Sequence, residues 1–155
     1  MRLLLLFFLI IPLTLNAQLT GKVVSVTDGD SFTLLTSENK QIKISLHGID
    51  CPEKNQDFGE VAKKLLSYLI FDKTVSCEQT NVDEFGKAVA IVMVDSVNIN
   101  ERLLQGGLAW HYKRYDQNPH WAKLEEDARA RGLNIWSMKE PIPPWEFRKK
   151  NASKR

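Results

Sequence analysis

The chain has 155 residues, with 21 Lys and Arg against 19 Asp and Glu, a formal net charge of +2. Five of the bases fall in residues 148–155, so residues 18–147 carry 15 bases against 19 acids, and charge alone does not point to nucleic acid. The two cysteines, Cys51 and Cys77, stand in no CxxC or Cys/His spacing, which excludes a zinc framework.

Arg2 precedes an apolar run from Leu3 to Leu15, broken only by Pro12 and Thr14, and Leu15-Asn16-Ala17 ends in a small residue. That is the layout of a secretory signal peptide. The run is short of the roughly 20 apolar residues that a membrane span needs. No cysteine follows Ala17 for a lipid anchor. The expectation is therefore a leader over 1–17 and a secreted or periplasmic protein with no membrane attachment after cleavage. One domain over 18–147 follows, then a basic, solvated tail over 148–155. Export permits a disulfide, but two thiols, free or buried, are expected in preference to a bridge.

The first half of the domain reads as strands. Leu19–Val26 is rich in β-branched residues, Asp28-Gly29-Asp30 makes a tight turn, and Ser31–Leu35 continues. Gln41–Leu46 alternates Ile42, Ile44 and Leu46 on one face. A helix fits residues 58–71, where Val61, Leu65, Tyr68 and Leu69 recur at three- and four-residue steps. Residues 73–79 and 87–94 read as a strand pair around Asp83-Glu84-Phe85-Gly86. A second helix fits 98–105, stopped by Gly106-Gly107, and a third fits 121–131, stopped by Gly132. Pro141, Pro143 and Pro144 predict an extended segment that docks Trp145 and Phe147 on the surface. Five strands with helices after the third and fifth predict a mixed α+β, mainly β fold, a small five-stranded Greek-key barrel capped by three helices and OB-like in arrangement.

Two acidic motifs carry the chemistry. One is Thr27-Asp28-Gly29-Asp30-Ser31, the other Gly48-Ile49-Asp50-Cys51-Pro52-Glu53. Each alone reads as an ordinary turn. Each also ends a predicted strand, and adjacent barrel strands bring such turns together. Converging carboxylates repel one another, and a hard cation relieves that repulsion. A metal beside a free carboxylate is a hydrolytic arrangement.

The order and spacing of several segments resemble the staphylococcal-nuclease-like (thermonuclease) family over nearly the whole of the mature chain. They run from Val23–Leu35 through Leu46–Glu53 and Gln56-Asp57-Phe58-Gly59 to Asp83–Lys87, Leu103–Trp110 and Leu133–Trp136. The closing Pro141-Ile142-Pro143-Pro144-Trp145 is similar to a subset of bacterial members. The resemblance implies an OB-fold barrel with three helices and Ca²⁺-dependent cleavage of phosphodiester bonds in DNA and RNA. It matches Asp30 and Asp50 to the calcium carboxylates and Glu53 to the general base. Cys51 matches a position that lends a backbone carbonyl to the metal, and Asp28 an acid close to the metal.

The chain departs from that pattern at two arginines. One position is Ser45, the other Lys87, and Phe85 replaces a tyrosine beside the second. Ser45 supplies no charge, and Lys87 keeps a charge without the bidentate fork of arginine. Lys87 is therefore expected as the remaining cation of the catalytic set. Lys43 shares a strand face with Ser45 and is a candidate phosphate contact. Lys113 and Tyr115, in the stretch Trp110–Tyr115 that interleaves bases and aromatics, are candidate contacts to single-stranded substrate. Two functions stay open. One is an exported, monomeric, Ca²⁺-dependent nuclease of DNA or RNA, attenuated by the replacements and without a stable protein partner. The other is a catalytically degenerate nucleic-acid-binding or protein-interaction module on the same fold.

Overall fold

The computed structural model describes residues 18–153; the expected leader over 1–17 lies outside the described residues. No helix among the described residues is long and apolar enough to cross a membrane.

Three strands open the domain: β1 (Gln18–Val26), β2 (Ser31–Thr36) and β3 (Gln41–Leu46). A short β4 (Ile49–Asp50) and helix α1 (Gly59–Ile70) follow, then β5 (Thr74–Val82), β6 (Ala88–Val94) and β7 (Val97–Asn98). Helix α2 (Ile99–Gln105), strand β8 (Trp110–His111), α3 (Pro119–Ala130), a 3-10 turn (Asn134–Ser137) and α4 (Pro144–Ala152) complete the chain.

Alternation explains the strands. Val23, Phe32, Leu34, Ile44, Leu46, Val75, Cys77, Ala90 and Val92 are all buried, while their neighbours, Ser31 excepted, face outward in whole or in part. β1 pairs antiparallel with β2 and β5, β2 with β3, and β5 with β6. β3 and β6 then pair in parallel, Ile44 opposite Ala88 and Leu46 opposite Ala90. That last ladder closes five strands into a barrel, so neither β3 nor β6 is left as an open edge. Ala62, Leu66 and Ile70 of α1 and Ile99, Leu103 and Leu104 of α2 are all buried and share one core with the barrel strands.

A buried amide ties the barrel to the site. Asn100 is fully buried; its Oδ1 accepts from Val92 N–H at 3.0 Å, and its Nδ2 donates to the His47 carbonyl at 2.9 Å. The loop that leads into β4 is thereby fixed to the wall of the barrel, because a buried amide left unpaired is costly.

The expected fold is present, with one difference. The described residues hold four α-helices, not three. The proline segment is extended only to Pro143, and Pro144 begins a helix instead of prolonging the extended run. A proline at the first helical position lacks only an N–H that would have had no partner there. The helix continues through Lys150, so residues 148–152, expected as a solvated tail, are its last turns.

Both cysteines are free and buried. Burial pushes the Cys77 thiol up to about 12. Neither thiol should react with iodoacetamide at pH 8 in the native protein, since the thiolate is the nucleophile. Both should react in denaturant without prior reduction, which intact mass would record as two added groups. A mass unchanged in denaturant would show a bridge.

Candidate active site

The Asp28–Asp30 turn and the β4 loop meet at one end of the barrel. Register brings them there: Ser31 lies opposite Ser45, and Leu46 N–H donates to the Asp30 carbonyl at 2.8 Å. Asp28 Oδ1 shapes its own turn, accepting from Asp30 N–H at 3.1 Å and Ser31 Oγ–H at 2.7 Å. Gly29 lets the turn sit close. A Cβ there would lie 2.7 Å from Ala62 Cβ and 2.7 Å from Cys51 Cβ. Asp30 Oδ2 in turn accepts the Cys51 N–H at 2.7 Å, which locks one acidic loop onto the other. Asp50 is held from the far side, where β4 pairs with β8 and Asp50 lies opposite Trp110.

The electrostatics follow from this crowding. Burial raises the Asp30 carboxyl well above the usual carboxylate range, and the charges of Asp28 and Asp50 add to it, against the lowering effect of the Cys51 N–H. Burial also raises Asp50, although the bonds and charge of Arg148 pull it back. No ion pair reaches Asp30 among the described residues, so this half-buried carboxyl faces Asp28 and Asp50 without a basic partner of its own.

Glu53 lies one loop beyond, on the rim, with 38% of its side chain exposed. Its backbone is pinned by Gln56, whose Oε1 accepts Glu53 N–H at 3.1 Å. The Nε2 of the same side chain donates to the Ile142 carbonyl at 2.5 Å. One amide thus joins the Glu53 loop to the start of α4.

Arg148 of α4 completes the cluster. Its two terminal nitrogens form a fork on Asp50, at 3.2 Å to Oδ1 and 2.8 Å to Oδ2. One of them also donates to Glu53 Oε1 at 2.6 Å. The bonds to Asp50 and Glu53 raise the guanidinium further above its ordinary range, so it is always charged. Beside it, Glu53, Lys54, Phe147 and Asn151 border a cleft of about 330 Å³.

The structure thus gathers Asp30, Asp50 and Glu53, as the sequence predicts. It does not bring the candidate bases to them. Lys43 is exposed on β3, and Lys87 lies half-buried where the β5–β6 turn ends, its backbone N–H bonded to Asp83 Oδ1. Lys113 faces Glu125 at 3.7 Å, and Tyr115 is 60% exposed. None of the four bonds to Asp30, Asp50 or Glu53 among the described residues. Arg148 and Gln56 were missed as site residues. The signal for Arg148 was a helical start at Pro144 that places Trp145 and Arg148 one turn apart on the same face.

Trp145 shows where that face sits. It stacks on Tyr112 with ring centres 4.9 Å apart and planes within 4°, and Tyr112 meets Tyr115 edge-on at 4.9 Å. An open groove of about 730 Å³ runs past Trp145, Tyr112, Lys113, Arg114, Arg129 and Trp136. In it the Arg129 guanidinium lies 4.1 Å over the Trp136 ring. His111 is buried and bonds Asp116 through Nε2 at 2.7 Å, which makes it part of the scaffold under the groove.

A hard cation fits the acids as a two-carboxylate site. Among the described residues no group of three or more His, Cys, Asp or Glu side chains is arranged as a cage. Divalent ions of this class nevertheless bind through one or two carboxylates with water and substrate filling the remaining positions. Asp30 offers such a carboxylate, half-buried and without an ion-pair partner among the described residues. Asp50 offers a second, on oxygens that Arg148 holds in this structure.

Residues 43–138 match the family model described as staphylococcal nuclease homologue. Among curated proteins the chain is 38% identical to an uncharacterized endonuclease of Haemophilus influenzae, over 94% of this chain and 82% of that one. It is 35% identical to an uncharacterized endonuclease of Escherichia coli O157:H7, over 86% of this chain and 88% of that one. A probable staphylococcal-like nuclease of rice is 31% identical over 86% of this chain, which spans 35% of the rice protein. With the barrel, the two acidic loops and these matches together, the chain belongs to the staphylococcal nuclease homologue family.

Proposed function

We propose that this protein is an exported nuclease that hydrolyses phosphodiester bonds of DNA or RNA with the help of a calcium ion. The carrying observation is the half-buried Asp30, without an ion-pair partner among the described residues and bonded to the Cys51 N–H, beside buried Asp50, with Glu53 on the rim. Family membership supports the nuclease chemistry, and the apolar run from Leu3 to Leu15 supports export.

Asp30 and Asp50 would hold the cation. When bound, a hard divalent ion supplies charge neutralisation and polarises a phosphoryl oxygen. Glu53 is the base. Its exposed carboxylate takes a proton from water as the water oxygen bonds to phosphorus and the phosphorus–oxygen bond to the leaving sugar breaks. The leaving oxygen recovers a proton from solvent. Asp50 is buried and Asp30 is occupied by the Cys51 N–H, so Glu53, open to the cleft, is the carboxylate placed for that proton transfer.

The replacements at Ser45 and Lys87 support a slower enzyme, because losing one donor to transition-state charge costs about 10²–10³ in rate. Enzymes commonly gain about 10⁶ or more, so activity survives such a loss. The test is release of acid-soluble nucleotides from single-stranded DNA and RNA by residues 18–155, with Ca²⁺ and with chelator. Cleavage should require Ca²⁺, and Ca²⁺ should raise the melting temperature of the wild type but not of Asp50→Asn. A folded protein that binds single strands without cutting them would favour the non-catalytic module instead.

A further inference from the structure

We propose that Arg148, delivered by the C-terminal helix, is a catalytic residue that grips the scissile phosphate. This rests on the nuclease reading above and assigns a role to a residue outside both acidic motifs.

The geometry carries the assignment. Phosphoryl transfer builds negative charge on oxygens that must lie between the base and the cation site. In this protein the one guanidinium bonded to those acids, among the described residues, is Arg148. Ser45 offers no charge there, and Lys43 and Lys87 make no bond to the cluster. The Arg148 fork spans Asp50 and Glu53, which are the two sides a phosphate must bridge. Planar, bidentate donation is the form that matches phosphate oxygens.

Arg148 is also built to move between partners. Three hydrogen bonds use part of its five N–H donors. Its side chain is 47% exposed and borders the cleft beside Glu53. A permanent stand-in for a metal would have to neutralise Asp30, and Arg148 does not bond to it. With Asp50 engaged by a cation, the Arg148 fork would be free to turn to phosphate oxygens beside Glu53. Its backbone stays fixed, because Trp145 stacks on Tyr112 one turn earlier and Gln56 holds the Ile142 carbonyl.

The experiment compares wild type, Arg148→Ala and Arg148→Lys in single-turnover cleavage of a labelled single-stranded oligonucleotide. The alanine variant should lose about 10²–10³-fold in rate, with a smaller change in KM. The lysine variant should recover only part of the loss. Methylguanidine added to the alanine variant should restore cleavage, and methylamine at the same concentration should not. Melting curves and equilibrium binding of a non-cleavable oligonucleotide accompany the rates, so that an undocked helix is not mistaken for lost chemistry. Arg148→Ala cutting as fast as wild type, or faster and at lower Ca²⁺, would overturn the proposal and make the guanidinium a competitor of the cation. A folded wild type that does not cut would instead remove the nuclease reading, and this role with it.

Discussion

Glu53→Gln should lower cleavage by about 10²–10⁴-fold, the contribution of a positioned general base, while the protein stays folded. Glutamine keeps the shape of the side chain and removes its proton affinity. The structural cost is small. The Glu53 side chain is 38% exposed, and its ion-pair partner among the described residues is Arg148. Pairs this exposed contribute about 0–1 kcal/mol. The bond that seats the loop, Glu53 N–H to Gln56, belongs to the backbone and survives the change. Initial rates on single-stranded substrate, with a melting curve beside them, separate the two effects. A glutamine variant with wild-type turnover would take Glu53 out of the chemistry.

Gly59→Ala should harm both fold and activity. A Cβ on Gly59 would lie 2.0 Å from the Glu53 carbonyl oxygen and 2.8 Å from its carbonyl carbon. Those are backbone atoms, so no rotamer relieves the clash. Either α1 withdraws from the barrel or the Glu53 loop is pushed out. Overpacking of this kind costs about 1–3 kcal/mol, occasionally more, which in a domain of this size is a drop of several degrees in melting temperature. Rate should fall further than the folded fraction does, because a displacement near 1 Å can cost about 10²-fold. Assaying well below the new melting temperature isolates that second loss. Wild-type melting and rate together would mean that the seat of α1 under Glu53 is not tight.

The barrel was legible where its strands alternate: in β3, Ile44 and Leu46 are buried and Lys43 is exposed, as period two demands. The ends of α1 and α2 fell within a residue of expectation at Gly59 and Gln105, where turn signals sit beside periodic apolar positions. That Asp30, Asp50 and Glu53 would come together was legible because their loops adjoin strands β2 and β4, and strand pairing brings such loops together. Helix α4 was not. Three prolines in four residues read as a chain that stays extended, yet the last of them is a favourable first residue for a helix. Arg148 was hidden for a different reason. Its partners Asp50 and Glu53 lie far away in sequence, where no periodic rule reaches, and a run of bases at a terminus ordinarily means solvent.

The parallel ladder between β3 and β6 has a kinetic meaning. It joins Ile44–Leu46 to Ala88–Ala90 across the whole of α1 and β5. Contacts of such high sequence separation form late, because chain closure must be completed before they give any return. The loop bearing Asp50 follows directly from β3, and His47 N–H is bonded to the Ala90 carbonyl. The loop is therefore aimed only once that ladder exists. A collapsed chain with its local hairpins already made would hold the acids yet not hold them together, because the long-range pairings β3–β6 and β4–β8 are the ones that aim the Asp50 loop.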